Sequence, residues 1–183
     1  MVTIDQNLKA VFLDRDGTLN RAILRGGLPF SAKNVDEVEL LPGVTTAVDM
    51  FKEMNYMPII ITNQPDVARG FITQRASEEI NYLIQEKLKI NHSYICFHDD
   101  SDNCICRKPK AGLIIQASKE LNIDLSRSIM VGDRWKDIMA GQAAGCTSYY
   151  IDKEYKEQKP QQPFTVVESL LHAAQIVWNK HVI

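Results

Sequence analysis

An α/β fold, with a mostly parallel sheet covered by helices on both faces, is what this sequence predicts, and three observations predict it. Short runs such as Ala10–Leu13, Met57–Thr62 (MPIIIT) and Ser128–Gly132 (SIMVG) have almost no polar face, as expected of strands buried on both sides. Longer segments between them repeat apolar residues at helix spacing. Polar residues able to do chemistry gather after the runs, where ligands sit in open α/β sheets.

The elements follow in order. Lys9–Asp14 reads as the first strand. Pro42-Gly43 then precedes a helix with Val44, Ala47, Val48, Phe51 and Met54 on one face. Met57–Thr62 is the second strand, and Thr73 caps a helix carrying Ala76, Ile80, Leu83, Ile84 and Leu88. Ser93–His98 is the third strand. A helix with Leu113, Ala117 and Leu121, the strand Ser128–Gly132, a helix with Ile138, Met139 and Ala143, and the strand Thr147–Ile151 complete the alternation. Lys153–Pro163 (KEYKEQKPQQP) is polar and proline-bearing, so it reads as a surface loop. Phe164–Val167 is a short edge strand before a last helix with Leu170, Leu171, Ala174 and Val177.

With 183 residues, the chain suits one domain, 1–183. Its net charge of −2 argues against nucleic acid or an anionic membrane as partner, since both demand a basic surface. A small anionic substrate needs only a few placed cations. The amino terminus lacks the basic start and apolar run of a signal peptide, and no segment approaches the ~20 apolar residues of a membrane span. The expectation is a cytoplasmic monomer whose thiols stay reduced.

Four features stand at the strand ends. DRDGTLN puts Asp14 and Asp16 two residues apart where the first strand breaks, with Gly17 allowing a sharp turn. Thr62 ends the second strand, Lys108 follows the cysteine-rich stretch, and Asp133 follows the fourth strand in VGDRWKD. Each has an ordinary explanation: a solvated turn, a loop hydroxyl, a surface lysine, a helix cap. Their order is harder to explain that way. With DRDGT, then Thr, then Lys, then Gly-Asp, the chain resembles the haloacid dehalogenase superfamily of phosphotransferases from about Lys9 to Ile151.

That resemblance implies a Rossmann-like sheet and aspartate-based phosphate chemistry. Asp14 would attack phosphorus, and Asp16 would protonate the leaving oxygen and then take a proton from water. Thr62 and Lys108 would hold the phosphoryl oxygens. The resemblance also implies Mg²⁺ on the Asp14 carboxylate, the Asp16 main-chain carbonyl and Asp133.

Cys96-x-His98 and Cys104-x-Cys106 are each spaced by two, so each pair can present its ligands on one side of an extended chain. DDSDN between them is a good loop former. Three sulfurs and an imidazole with every position filled indicate a structural Zn²⁺ site over 96–106. Cys146 reads as a small core residue. The C-x-H…C-x-C-R-K-P pattern narrows the resemblance to the branch holding heptose 1,7-bisphosphate and histidinol-phosphate phosphatases, where a zinc-stapled loop stands in place of a large cap domain. The segments Asn20–Val48 and Asn63–Cys96 are too short for such a cap.

By the same resemblance, Arg107 reaches the far side of the substrate and Asn63 lies near the leaving group. The chain departs from the branch in reading Pro65-Asp66 after Thr62-Asn63-Gln64, and in LRGGLPFSAKN (Leu24–Asn34), whose role is left unassigned. Arg25, Arg69, Arg107 and Arg134 are candidates for a second phosphate. The expected activity is therefore removal of the 7-phosphate of a heptose 1,7-bisphosphate. The alternatives are histidinol phosphate or another small phosphometabolite as substrate, for which Asp66, Asp99 and Asp100 speak, and a zinc-stapled binding module, against which the complete Asp14, Asp16, Thr62, Lys108, Asp133 set speaks.

Overall fold

The computed structural model describes residues 8–181; the stretch read above for a leader begins outside them. In chain order the elements are β1 (Lys9–Leu13), β2 (Ile23–Arg25), β3 (Leu28–Phe30), α1 (Val44–Glu53), β4 (Tyr56–Asn63), α2 (Pro65–Ala68), α3 (Gln74–Leu88) and β5 (His92–Cys96). There follow α4 (Gly112–Leu121), β6 (Ile129–Gly132), α5 (Trp135–Ala144), β7 (Thr147–Ile151), β8 (Thr165–Val167) and α6 (Leu170–His181). Six strands form one wholly parallel sheet in the order β5-β4-β1-β6-β7-β8.

Successive side chains of β1 divide the core in two, as the period of a strand requires. Val11 and Leu13 face α1, α3 and α6, packing among Phe51, Ile84 and Ala174. Ala10 and Phe12 face α4 and α5, packing among Ile114, Ala117 and Ala140. All four are fully buried, which explains why the run has no polar member. Thr73 caps α3 as its position predicts, its side chain accepting from the Ala76 amide at 3.1 Å. Cys146 lies buried in the second core.

Strand register positions the site. Leu13 pairs with Ile60 of β4 and with Val131 of β6, so the residues just beyond these rungs emerge side by side at the carboxyl edge. Asn63 pairs with Cys96, which places the cysteine-rich stretch next to them.

Three local differences from the sequence reading stand out. β1 stops at Leu13, leaving Asp14 outside the ladder, while Thr62 and Asn63 still belong to β4. β5 stops at Cys96, so His98 lies beyond the strand. Leu24–Asn34 contains an antiparallel hairpin, β2 with β3. Its turn, Gly26-Gly27, has φ of 61° and 85°, the paired positive angles that suit a tight hairpin turn. Among the described residues, no helix is long and apolar enough to cross a membrane.

Candidate active site and metal centres

Asp14 leaves β1 into a buried pocket of charge. Lys108 Nζ donates to Asp14 Oδ1 at 2.5 Å and to the Ile61 carbonyl at 2.8 Å, and pairs with Asp137 Oδ1 at 2.6 Å. Asp14, Asp133 and Asp137 are all buried, and each brings a carboxylate oxygen within 4.8 Å of the others'. One ammonium thus serves a cluster of three carboxylates, bonding directly to Asp14 and Asp137. Burial, reinforced by the Asp137 charge and opposed by Lys108, pushes the Asp14 carboxyl up to about 6. Burial, then the charges of Asp14 and Asp137, raise Asp133 well above the usual carboxylate range, although a hydrogen bond from Tyr155 works the other way.

Asp133 supplies the test of whether a cation fits. One oxygen, Oδ2, accepts from the Tyr155 hydroxyl at 2.6 Å. The other, Oδ1, is buried without any hydrogen-bond partner, a costly condition that a bound cation relieves. The donors are all oxygens and the excess charge is negative, which suits a hard divalent ion such as Mg²⁺. The turn in DRDGT makes room for this carboxylate: Gly17 has φ +100°, and a Cβ there would meet Asp133 Oδ2 at 1.7 Å. Any side chain at this position would therefore evict the carboxylate.

Asp16 is held apart from that trio by its own partners. Its carboxylate accepts from Arg15 Nε (3.0 Å) and Nη2 (2.9 Å), from Asn20 Nδ2 (3.2 Å) and from Gln64 Nε2 (2.9 Å). Burial opposes its ionisation, but the Arg15 charge and hydrogen bonds from Gln64, Arg15 and Ser31 outweigh it and hold the carboxyl low. Thr62 is buried, with Oγ1 accepting from Gln64 Nε2 at 2.9 Å. Asp14, Asp16, Thr62, Asn63 and Lys108 line one recess, roofed by Pro29, Phe30 and Ser31 of the hairpin.

The same roof covers an adjoining recess rimmed by Arg69, Arg107, Arg134 and Lys136. Arg107 Nε donates to Asp100 at 2.7 Å, and Arg69 holds Asp99 through two hydrogen bonds of 2.9 and 2.6 Å. Arg25 does not line either recess; its guanidinium lies 5.1 Å from the Phe30 ring centroid.

The four soft ligands also converge. Cys106 Sγ lies 3.2 Å from Cys96 Sγ and 3.3 Å from Cys104 Sγ, Cys96 and Cys104 are 3.7 Å apart, and His98 Nδ1 is 3.2 Å from Cys106 and 3.6 Å from Cys96. These separations are far beyond a disulfide bond of about 2.05 Å. They are the edges of a small tetrahedron, slightly tighter than the ~3.8 Å between sulfurs that Zn–S bonds near 2.3 Å give. The cluster can hold a soft metal with every position filled.

Sequence reasoning missed Asp137 and Tyr155. Asp137 stands one helical turn after Asp133 and looks like a first-turn acid of α5. It does take the Arg134 amide at 2.9 Å through Oδ2, but its other oxygen grips Lys108. The i, i+4 spacing of the two aspartates was the available signal. Tyr155 lies in the polar segment read as a surface loop, yet it is only 9% exposed.

Comparison with known proteins agrees with this architecture. Residues 28–145 match the model of the haloacid dehalogenase-like hydrolase family. A D-glycero-beta-D-manno-heptose-1,7-bisphosphate 7-phosphatase of Haemophilus influenzae is 38% identical over 147 residues, covering 74% of this chain and 77% of that protein. The enzyme of the same name from Pasteurella multocida is 33% identical over 183 residues, covering 92% and 96%. In fold, the chain matches the crystal structure of D,D-heptose 1,7-bisphosphate phosphatase from B. bronchiseptica complexed with magnesium and phosphate. The TM-score is 0.83 at 24% identity, with 94% of this chain and 99% of that one covered. With the family model spanning residues 28–145, and relatives at 38% and 33% identity covering 74% and 92% of the chain, the chain belongs to the haloacid dehalogenase-like hydrolases.

Proposed function

We propose that this hydrolase is a Mg²⁺-dependent cytoplasmic phosphatase that removes the 7-phosphate from D-glycero-D-manno-heptose 1,7-bisphosphate through an aspartyl-phosphate on Asp14. The observation that carries the substrate reading is the pair of adjoining recesses beside one hairpin, one holding Asp14 and Lys108, the other rimmed by four cations against two carboxylates, Asp66 and Asp100, with Arg134 and Lys136 shared by both. Phosphatases of this name among the relatives support it.

The residues divide the work by position. Asp14, ionised against Lys108, attacks phosphorus in line with the departing oxygen. Lys108 and the Thr62 hydroxyl take the phosphoryl oxygens, whose charge grows in the transition state. Asp16 delivers a proton to the leaving oxygen and later accepts one from the hydrolytic water. To do so it gives up its bonds to Arg15, Asn20 and Gln64, the phosphoryl charge beside it favouring the protonated form. Asp14, Asp133 and the Asp16 carbonyl would hold Mg²⁺, which would supply charge neutralisation for a dianion meeting a carboxylate. Asn63 and Arg107 serve the site from its rim, and Zn²⁺ on Cys96, His98, Cys104 and Cys106 staples the loop that carries Arg107 and Lys108. The chain works as a single-domain monomer.

The acids that would suit an amine substrate are already engaged. Asp66 and Asp99 bond to Arg69, and Asp100 to Arg107 and Lys136, so an amine would have to displace an arginine or lysine to reach them. The test is kcat/KM for both anomers of heptose 1,7-bisphosphate, histidinol phosphate and fructose bisphosphate. Preference for a heptose bisphosphate is expected, and histidinol phosphate as the best substrate would overturn the reading.

A further inference from the structure

The segment after β7 makes three consecutive contacts with the site. The Tyr155 hydroxyl donates to Asp133 Oδ2, the Lys156 amide donates to the Gly27 carbonyl at 3.0 Å, and Glu157 accepts from Arg134. One strap of chain thus ties the cation-facing carboxylate, the turn of the hairpin roof and one cation of the outer recess. Tyr155 is its buried anchor, and its hydroxyl has Asp133 as its hydrogen-bond partner.

The geometry assigns Tyr155 as a positioning residue for the cation site: it fixes one oxygen of Asp133 so that the other faces the metal. This rests on the proposed Mg²⁺ reading above. Two observations and one physical argument support it. The two oxygens of Asp133 are differentiated, Oδ2 engaged and Oδ1 buried and unpartnered. A carboxylate with a free torsion would sample other orientations and hold a cation less well, so a fixed outer partner raises affinity. Gly17 also leaves space for both groups at once, since a Cβ there would lie 1.7 Å from Asp133 Oδ2 and 2.9 Å from the Tyr155 hydroxyl. The absent side chain in DRDGT therefore accommodates a carboxylate–phenol pair rather than a carboxylate alone.

The test is Tyr155→Phe, which keeps the buried ring and removes only the hydroxyl. The Mg²⁺ concentration giving half-maximal activity should rise about 10- to 100-fold, with kcat at saturating Mg²⁺ within a few-fold of wild type. Independently of turnover, the rise in Tm that Mg²⁺ produces should require correspondingly more Mg²⁺. A variant whose Tm in chelator falls while its Mg²⁺ titration is unchanged reduces Tyr155 to a loop anchor and overturns the inference. So does a variant identical to wild type in both. If the wild type itself ignores Mg²⁺ in activity and melting, the metal reading fails and this inference falls with it, which the wild-type titration reveals on its own.

Discussion

Asn63 holds the main chain of Lys108 on both sides of its Cα: Nδ2 donates to the Lys108 carbonyl at 3.0 Å, and Oδ1 accepts from the Lys108 N–H at 3.1 Å. The clamp joins the last residue of β4 to the loop that the cysteine cluster closes, and it fixes where the ammonium enters the site. Asn63→Ala would leave both backbone groups unpaired. The expected result is a stability loss of about 1–3 kcal/mol and a fall in kcat of about 10²-fold from misplacement of Lys108. Denaturant melts and steady-state kinetics check the two effects separately.

Lys108 is the sole cation bonded to both Asp14 and Asp137 among the described residues. Replacing it with methionine keeps the length of the side chain and removes the charge. In chelator the variant should lose about 3–5 kcal/mol, because two buried carboxylates are left uncompensated. Mg²⁺ should restore part of that loss but not turnover, with kcat down by at least about 10²-fold. Equal stability losses with and without Mg²⁺ would contradict a cation site beside Lys108.

The raised carboxyls predict a pH dependence with a definite sign. Asp14 ionises near 3.8 in the unfolded chain and at about 6 in the fold. Between those values the native state keeps a proton that the unfolded state has released, so stability in chelator falls as pH rises through this window and stays lower above it. Metal binding needs the ionised carboxylates and releases their protons. The Tm increase on adding Mg²⁺ should accordingly be larger at about pH 7.5 than at about pH 5. An increase independent of pH would sink this account.

Cys104→Ser should drop bound zinc well below the roughly one ion per chain expected of a filled four-ligand site, and lower Tm. Metal analysis and melting read both. Because Arg107 and Lys108 follow Cys106 directly, kcat should fall as well. Unchanged melting and activity would remove any structural role for the cluster.

Gly17→Ala should be far more damaging than an ordinary surface glycine change. It forces an alanine to a φ of +100° and drives its Cβ into Asp133. The expected outcome is loss of Mg²⁺-induced stabilisation and of activity, with zinc content retained as the sign that the fold persists.

Much of this was legible from particular residues. Ala10–Leu13 announces a central strand because both of its faces meet helices, and register then brings Asp14, Thr62 and Asp133 together from three distant segments. Cys96, His98, Cys104 and Cys106 were readable because their spacing is local. Asp137 was hidden because a first-turn aspartate has an ordinary job as a helix cap, which it also performs. The hairpin was hidden by Pro29, which argues against a strand, although Gly26-Gly27 between two apolar pairs was the signal for it. Tyr155 was hidden by its company: one buried aromatic among charged and proline residues leaves no periodicity to read.

The hairpin tip has a consequence for how such a chain can diversify. Among the described residues, nothing lies within 4 Å of where a Cβ on Gly26 would sit, and β2 and β3 form a sheet of their own that shares no rung with the six-stranded one. Residues added at Gly26 would extend into open space, whereas Gly27 is held by the Lys156 amide. The roof can thus be lengthened at Gly26, while Gly27, tied to Lys156, and Pro29 and Phe30, which line the recess of Asp14 and Lys108, hold the hairpin to the site.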